Sequence, residues 1–363
     1  MRTDVERVKL GQQVEPAEAS QNGRNGEHPG QRRPEHTHRK PSRFSWQRLA
    51  LLLACLVWLA VGVQGAFQYG HAYWVYRGFE PPKDPPGISP GRLIVQHFYS
   101  PSLKEERSFK VYLPPGYVAD SAAGRRFPVV YILHGSPGGP AQITDVGAAG
   151  VKLDQLVAAH KIRPFLLVMP SGGNGTFFHD TEWANTPSGH YESFVLDVVR
   201  TVDARFPTIP QRRFRALAGL SEGAYGALNI SLHHLGVFGV VSPWSGYFIQ
   251  RPTGPFKHAS PAAIWANSPG RYLPVLRPVL HKLPLHVFMY SGSAEKIVPH
   301  VRLFALQLRA DGADVKFAVY PGHHDWKLWR GHMDAVLKFV NQAFWPSAHS
   351  VHPGSRLQKL TSL

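Results

Sequence analysis

The pentapeptide Gly219-Leu220-Ser221-Glu222-Gly223 is the part of the chain whose residue types and spacing best fit covalent chemistry. Its pattern, G-x-S-x-G, forms a sharp turn between a strand and a helix and exposes the serine as a nucleophile. Glycines suit such a turn because they have no Cβ atom to clash inside it. A serine hydroxyl is a weak nucleophile unless a base activates it, so the pattern also predicts a partner histidine and an acid. Ser221 is therefore the candidate nucleophile.

The residues on either side of this pentapeptide have the required character. Phe214–Ala218 is predicted to form a short buried strand, and Glu222–His234 has the apolar spacing of a helix. In a chain with 34 glycines the five residues alone could arise by chance, but the order strand, turn, helix favours the catalytic interpretation.

Glu295 is the candidate acid. In this architecture the acid and then the histidine follow the serine along the chain. Glu295 comes just after the predicted strand Leu285–Ser291, and catalytic groups collect at the ends of strands in open α/β sheets. Asp311 and Asp314 flank a glycine in a predicted turn and are weaker candidates. An alternative is that Glu295 caps the helix that begins near Pro299.

Two adjacent histidines follow the predicted strand Val315–Tyr320, in the segment Pro321-Gly322-His323-His324-Asp325-Trp326. Neighbouring side chains in a loop point in different directions, so only one of them can face Ser221. The residue types alone leave His323 and His324 open as the base. No second cluster has the spacing of metal ligands, and we predict neither a metal nor a cofactor.

The negative charge that develops on the substrate oxygen needs two backbone N–H donors. One is expected from Glu222, the residue after the nucleophile. The other is expected from the loop His134–Gly139, where Gly135 lets the backbone approach a substrate closely. A plain Pro/Gly turn is the alternative for this loop.

The elements that would position these groups alternate along the chain. Strands are predicted at residues 93–99, 107–113, 127–133 and 165–169, and helices at residues 151–160 and 191–206. Such alternation predicts an α/β fold with a mostly parallel sheet and helices on both faces.

The N-terminal part has a different composition. Residues 1–46 are polar and basic, and we predict a disordered cytoplasmic tail. Leu49–Phe67 contains no charged residue and can just span a bilayer, which predicts a transmembrane signal anchor at residues 47–68. A cleaved signal peptide and a buried core helix are the alternatives. A proline-rich linker (69–90), the α/β domain (91–346) and a flexible tail (347–363) are predicted to follow.

Charge and cysteine content narrow the class further. The basic flank should stay in the cytoplasm, which places the domain outside it, in a bacterial cell envelope. Cys55, within the apolar stretch, is the only cysteine, so the domain has no disulfide framework and no cysteine nucleophile. The net charge of +16 suits contact with anionic lipids or envelope polymers, or solubility alone. No nucleic-acid-binding signature is present.

Several segments together resemble the Putative esterase family of α/β-hydrolases. This family includes esterase D (S-formylglutathione hydrolase), enterochelin esterases, feruloyl esterases and antigen 85 mycolyltransferases. The resemblance covers roughly residues 92–345. The segments that carry it are Phe109-Lys110-Val111-Tyr112-Leu113-Pro114-Pro115-Gly116-Tyr117, His134-Gly135, Tyr191-Glu192, Gly219-Leu220-Ser221-Glu222-Gly223, and Gly322-His323-His324-Asp325-Trp326 with Trp329.

The resemblance implies a role for each matching residue. Ser221 would be the nucleophile, Glu295 the acid and His324, directly before Asp-Trp, the base. The second oxyanion donor would be the N–H of Ser136, next to Gly135. The chain departs from the family pattern in two ways: many relatives have an amide or glycine where His323 stands, and the acid is often aspartate.

The sequence thus predicts a membrane-anchored extracytoplasmic serine esterase that acts through an acyl–enzyme intermediate. The expected partners are an ester substrate, such as a lipid or envelope component, and the membrane through residues 49–67. Trp183 and Trp244 are predicted to bind substrate. Alternatives are an acyltransferase that moves an acyl group onto an envelope sugar or lipid, a non-catalytic envelope-binding module, and a serine peptidase.

Overall fold

The structure, a computed structural model, describes residues 45–173 and 180–346. Almost all of the predicted cytoplasmic tail and the whole predicted tail at 347–363 lie outside the described residues. Of the described residues, 45–60 belong to one unit, and 61–173 with 180–346 belong to a second, which contains the sheet.

Within the described ranges, eight strands form one sheet in the order β1-β2-β4-β3-β7-β8-β9-β10, and β5 and β6 pair separately. Neighbours from β4 to β10 are parallel, whereas β2 is antiparallel to both of its neighbours, β1 and β4. The predicted mostly parallel sheet is therefore confirmed. The strands are β1 (Arg92–Ser100), β2 (Glu105–Leu113), β3 (Val129–Leu133), β4 (Leu166–Pro170), β5 (Asn185–Thr186), β6 (Gly189–His190), β7 (Arg215–Leu220), β8 (Val240–Trp244), β9 (His286–Gly292) and β10 (Asp314–Tyr320).

Helices cover both faces of the sheet, and short 3-10 turns at Arg212–Phe214, Gly254–Phe256 and Leu273–Leu276 connect elements. The helices are α1 (Trp46–Tyr76), α2 (Tyr117–Ala122), α3 (Ala141–Asp145), α4 (Ala149–Ala158), α5 (Tyr191–Arg205), α6 (Glu222–His233), α7 (Pro261–Ala266), α8 (Pro269–Tyr272), α9 (Arg277–Lys282), α10 (Val298–Ala310), α11 (Trp326–Gly331) and α12 (Met333–Phe344).

Two apolar cores lie on opposite faces of the sheet. Along β3, Tyr131 and Leu133 join the core beneath α5, α6 and α10. Val130 and Ile132 join the core beneath α4 and α12. Successive strand residues point to opposite faces, so a strand covered on both sides must be apolar throughout. This explains the continuous apolar runs in the central strands.

The first helix is longer than the sequence indicated. α1 runs to Tyr76, so residues 69–76, predicted to belong to the proline-rich linker, are helical instead. Their aromatic side chains are compatible with a helix, and the first proline comes only at Pro81. No residue of α1 is buried, and α1 is the one helix in the described residues long and apolar enough to cross a membrane. Signal sequences share these properties.

A buried carboxylate joins α5 to the end of α6. Glu192 Oε2 lies 3.0 Å from His233 Nδ1, and Glu192 Oε1 lies 2.8 Å from His234 Nε2. Burial would raise the pKa of Glu192, but the hydrogen bonds from both histidines and their charges lower that pKa to about 2. At His233, burial would lower the pKa of the imidazole, but the hydrogen bond to Glu192 and the charge of Glu192 raise it.

This pairing predicts a pH-dependent contribution to stability. The Glu192 pKa is lowered on folding, so its contribution is complete above the unfolded value of 4.5 and is lost as the pH falls towards 2. From pH 6 to pH 3 the wild type should lose about 2 kcal/mol more stability than Glu192→Gln, measured by urea unfolding of the full chain in detergent. Glu106→Gln, at an exposed site, should lose as much as the wild type. Equal losses in wild type and Glu192→Gln would contradict this account.

Candidate active site

The G-x-S-x-G pentapeptide forms a strained turn at the end of β7. Ser221 has φ 55° and ψ −118°, a backbone conformation that side-chain-bearing residues rarely adopt, and α6 begins at the next residue. A Cβ atom on Gly219 would lie 2.3 Å from the carbonyl oxygen of Gly223. A Cβ atom on Gly223 would lie 2.3 Å from that of Leu133. Both positions therefore require glycine.

The serine, histidine and glutamate singled out in the sequence meet at one edge of the sheet. His324 Nε2 lies 2.9 Å from Ser221 Oγ, and His324 Nδ1 lies 2.9 Å from Glu295 Oε2. Ser221 follows β7, Glu295 follows β9 and His324 follows β10. Parallel strands end at the same edge, which is why residues so distant in sequence come together.

Of the two adjacent histidines, the structure brings His324 to the serine. His323 is exposed, and its backbone carbonyl accepts a hydrogen bond from the N–H of Asp325. Asp325 in turn caps α11, because its side chain accepts from the N–H of Leu328 at 3.2 Å. The turn between β10 and α11 thus fixes which ring faces Ser221.

Glu295 is held by a hydrogen-bond network that the sequence did not reveal. Its Oε1 accepts from Ser245 Oγ and from the N–H of Gly292, both at 2.6 Å. Ser245 Oγ itself accepts from Trp329 Nε1 at 3.0 Å. Burial would raise the pKa of Glu295, but the hydrogen bonds from His324, Ser245 and Gly292 lower it. The carboxylate therefore stays ionised and can orient the imidazole.

The side chain of Glu295 does not cap a helix, the alternative that the sequence left open. α10 begins at Val298, and the backbone carbonyl of Glu295, rather than its carboxylate, accepts from the N–H of Val298 at 3.2 Å. The carboxylate is used by the network around His324 instead.

The loop after β3 lies directly beside the nucleophile. A Cβ atom on Gly135 would lie 3.3 Å from Ser221 Cβ, and Ser136 lines the same cavity as Ser221. Glu222 is the first residue of α6, so its N–H has no acceptor within the helix. The two backbone groups predicted to bind an oxyanion thus belong to segments that adjoin Ser221.

The side chain of Glu222 does not belong to this cavity. Its Oε1 accepts from both the N–H and the hydroxyl of Thr181, each at 3.1 Å. Burial, and then the negative charges of Asp180 and Glu182, raise the Glu222 pKa well above its usual value. The same burial, with the charge of Asp180, raises the pKa of Glu182 to about 7.

A cavity of about 510 Å³ contains the serine and the histidine. Its walls are largely apolar and aromatic, which suits a small organic substrate. Within residues 45–173 and 180–346, no group of three or more His, Cys, Asp or Glu is arranged to hold a metal ion. The cavity is lined by Arg77, Gly78, Phe79, Gly135, Ser136, Pro137, Gln142, Leu220, Ser221, His324, Asp325, Trp326, Lys327 and Trp329.

The structure does not bring Trp183 and Trp244, which were predicted to bind substrate, to this cavity, because both are fully buried. Trp183 Nε1 donates to the carbonyl of His134 at 3.1 Å, which supports the loop after β3. Trp244 stacks on Tyr290, and its backbone carbonyl accepts from the N–H of Ser221 at 2.9 Å. The tryptophans that line the cavity are Trp326 and Trp329, from α11.

Comparison with known proteins is consistent with this geometry. A family model described as "Putative esterase" matches residues 100–340, a stretch that includes Ser221, Glu295 and His324. In the solved structures, a ferulic acid esterase superposes with a TM-score of 0.63 over 70% of this chain and 99% of that chain, at 23% identity. This likeness shows that the chain has the α/β-hydrolase fold.

Curated relatives match parts of the chain. An endo-1,4-beta-xylanase/feruloyl esterase of Xylanibacter ruminicola is 31% identical over 160 residues, 44% of this chain and 22% of that protein. An esterase of Mycobacterium tuberculosis is 28% identical over 178 residues, 48% of this chain and 36% of that protein. The chain thus spans well under half of either relative. An acetyl esterase of Caldicellulosiruptor saccharolyticus is 25% identical over 272 residues, 69% of this chain and 98% of that protein.

Proposed function

The chain belongs to the Putative esterase family, and on that premise we propose that it is a membrane-anchored extracytoplasmic serine esterase with a Ser221–His324–Glu295 triad. The observation that carries the proposal is the continuous hydrogen-bonded chain from Ser221 Oγ through His324 to Glu295, with 2.9 Å at each link. Names of relatives such as feruloyl esterase and acetyl esterase favour hydrolysis over acyl transfer.

In the first half-reaction, His324 Nε2 accepts the hydroxyl proton as Ser221 Oγ attacks the ester carbonyl carbon. The resulting oxyanion accepts hydrogen bonds from the N–H groups of Ser136 and Glu222. The N-terminus of α6 adds the positive end of its dipole at this point. His324 then gives its proton to the departing alcohol, which leaves an ester between the substrate's acyl group and Ser221.

In the second half-reaction, water takes the place of the alcohol. His324 Nε2 accepts a proton from the water as it attacks the acyl carbon, and the proton then returns to Ser221 Oγ. Throughout, Glu295 accepts the Nδ1–H of His324, which fixes the tautomer and stabilises the imidazolium. The lowered pKa of Glu295 keeps it ionised for this role.

Ser221→Ala should reduce turnover of 4-nitrophenyl acetate by about 10⁴-fold or more, because it removes the nucleophile. A fluorophosphonate probe should label the wild type and fail to label this variant, since such probes react with activated serines. Ser231→Ala, at a fully buried position within α6, is the control and should keep both properties. Undiminished labelling or turnover in Ser221→Ala would overturn the triad.

Mass analysis of the products distinguishes the free acid of an esterase from an ester transferred to an added alcohol.

Ser245 is a positioning residue for Glu295, and its loss should act on the chemical step. Ser245→Ala removes a hydrogen bond to a charged group, which predicts about a tenfold lower kcat with KM unchanged. The control Ser231→Ala removes a buried hydroxyl whose Oγ has no partner among the described residues, and its kcat should equal that of the wild type. The same kcat in Ser245→Ala and Ser231→Ala would contradict a positioning role.

Anchoring through α1 is the second part of the proposal. The helix is long enough to cross a bilayer and has no buried residue, and the basic residues before it favour a cytoplasmic N-terminus. The positive net charge that remains beyond residue 48 suits a domain next to anionic lipid.

Topology can be tested by cysteine labelling, because Cys55 is the only cysteine. Each variant is expressed in bacteria in a Cys55→Ser background, and spheroplasts are prepared from the cells. Lys338→Cys should react with a membrane-impermeant maleimide in intact spheroplasts. Ser20→Cys should react only after lysis, and Cys55→Ser alone should not react. Labelling of Ser20→Cys before lysis, or release of the protein by alkaline carbonate, would contradict the proposed anchor.

A further inference from the structure

Two cationic side chains line the cavity that holds Ser221. Arg77 comes from the turn after α1, and Lys327 from the first turn of α11. They enter the cavity from parts of the chain 250 residues apart, yet both share its lining with Ser221 and His324. Neither residue is explained by the triad or by the oxyanion donors.

Neither cation has a counter-ion in the part of the chain that the structure describes. Arg77 packs its guanidinium 5.5 Å from the ring centroid of Trp74, and no ion pair or side-chain hydrogen bond to Arg77 or Lys327 occurs among the described residues. Asp325 is the carboxylate in the cavity lining, and its Oδ1 accepts from the N–H of Leu328 as the cap of α11. Their positive charges are therefore open to a ligand.

The wall that contains Arg77 is attached to the rest of the domain. Phe79 lies under Arg330, whose guanidinium carbon is 4.7 Å from the ring centroid. Arg330 Nη1 donates to the carbonyl of Val146 at 2.9 Å. Arg77 and Gly78 have φ values of 53° and 82°, a left-handed pair that ends α1 and turns the chain across the cavity.

A second cavity of about 720 Å³ adjoins the first and shares Arg77, Pro137 and Gln142 with it. Asp145 lines this second cavity and accepts a hydrogen bond from the hydroxyl of Thr144 at 3.0 Å. Arg77 thus stands where the two cavities meet. In the described residues, the charged groups that line either cavity are Arg77, Lys327, Asp325 and Asp145, together with His324 when protonated.

From this arrangement, and on the basis of the proposed esterase function, we propose that Arg77 and Lys327 form an anion subsite. Its ligand is a negatively charged group carried by the substrate close to the ester bond. Unpaired cations next to a concave apolar surface attract an anion more strongly than cations in open water do. The aromatic rings of Trp326 and Trp329 supply that apolar surface. The preferred substrates are therefore anionic esters.

The test compares matched charged and neutral esters on the full chain in neutral detergent. One pair is 4-acetoxybenzoate and its methyl ester, which differ in charge on the alcohol part. The other pair is mono-4-nitrophenyl adipate and 4-nitrophenyl hexanoate, which differ in charge on the acyl part. The measured quantity is the ratio of kcat/KM for the charged ester to that for the neutral ester. Using a ratio removes effects of the variants that are common to both esters.

Arg77→Gln and Lys327→Gln should each lower this ratio about fivefold in at least one pair, as expected for a partly exposed charge pair. Added salt should lower the wild-type ratio towards that of the variants. Lys338→Gln, at an exposed site on α12, is the matched control and should leave the ratio unchanged. If neither variant alters the ratio in either pair of esters, the anion subsite is overturned.

Failure of the proposed function is a separate outcome. If the wild type hydrolyses none of the four esters, the esterase proposal fails, and binding decides on the subsite. The probe is then 4-acetamidobenzoate, an amide that resembles the charged ester. Its binding to the protein is measured by calorimetric titration and compared with the binding of its methyl ester. The subsite would be supported if Arg77→Gln and Lys327→Gln bind the charged amide more weakly than the wild type does but bind the methyl ester equally well. Equal binding in wild type and variants would overturn it.

Discussion

The close approach of backbone segments around Ser221 is the constraint on which the rest of the site depends. The positive φ of Ser221 is unfavourable for a residue with a side chain, so neighbouring contacts must hold it. The carbonyl of Trp244 accepts its N–H, and Gly223 packs directly against the carbonyl of Leu133. Strands β3 and β8, on either side of β7, thus fix the turn. The same packing places the loop after β3 beside Ser221. The contacts that hold the nucleophile therefore also hold the candidate oxyanion donors.

A second support orients the base and the acid. Ser245, just after β8, joins Trp329 of α11 to Glu295 after β9, and Glu295 contacts His324 after β10. Three strand ends and one helix are thus linked through a single serine hydroxyl. Ser245 itself has a φ of 53°, so the backbone bends sharply at this position as well. The site is built from turns at strand ends, while the covered sheet beneath them supplies rigidity.

Much of this arrangement could be predicted from the sequence, because the central strands are apolar runs bounded by prolines, glycines and polar residues. The predicted strand at 285–291, for example, lies within one residue of β9 at each end. Other features could not be predicted. Trp183 and Trp244 are of a residue type common in binding surfaces, but their burial depends on the packing of elements distant in sequence. Ser245 belongs to no motif, and its role follows only from the meeting of β8, β9 and α11. The residue types also could not choose between His323 and His324, since the turn before α11 makes that choice.

The place of the turn Arg77–Phe79 in the chain decides what a truncated protein would keep. The turn follows α1 within residues 69–90, the segment predicted to be a linker, and a truncation at residue 91 would remove it. Yet these residues form one wall of the cavity with Ser221, and Phe79 is packed under Arg330. A shortened chain would keep the triad and open the cavity on one side. Substrate preferences measured on such a fragment would describe a wider, less positively charged entrance than that of the whole protein.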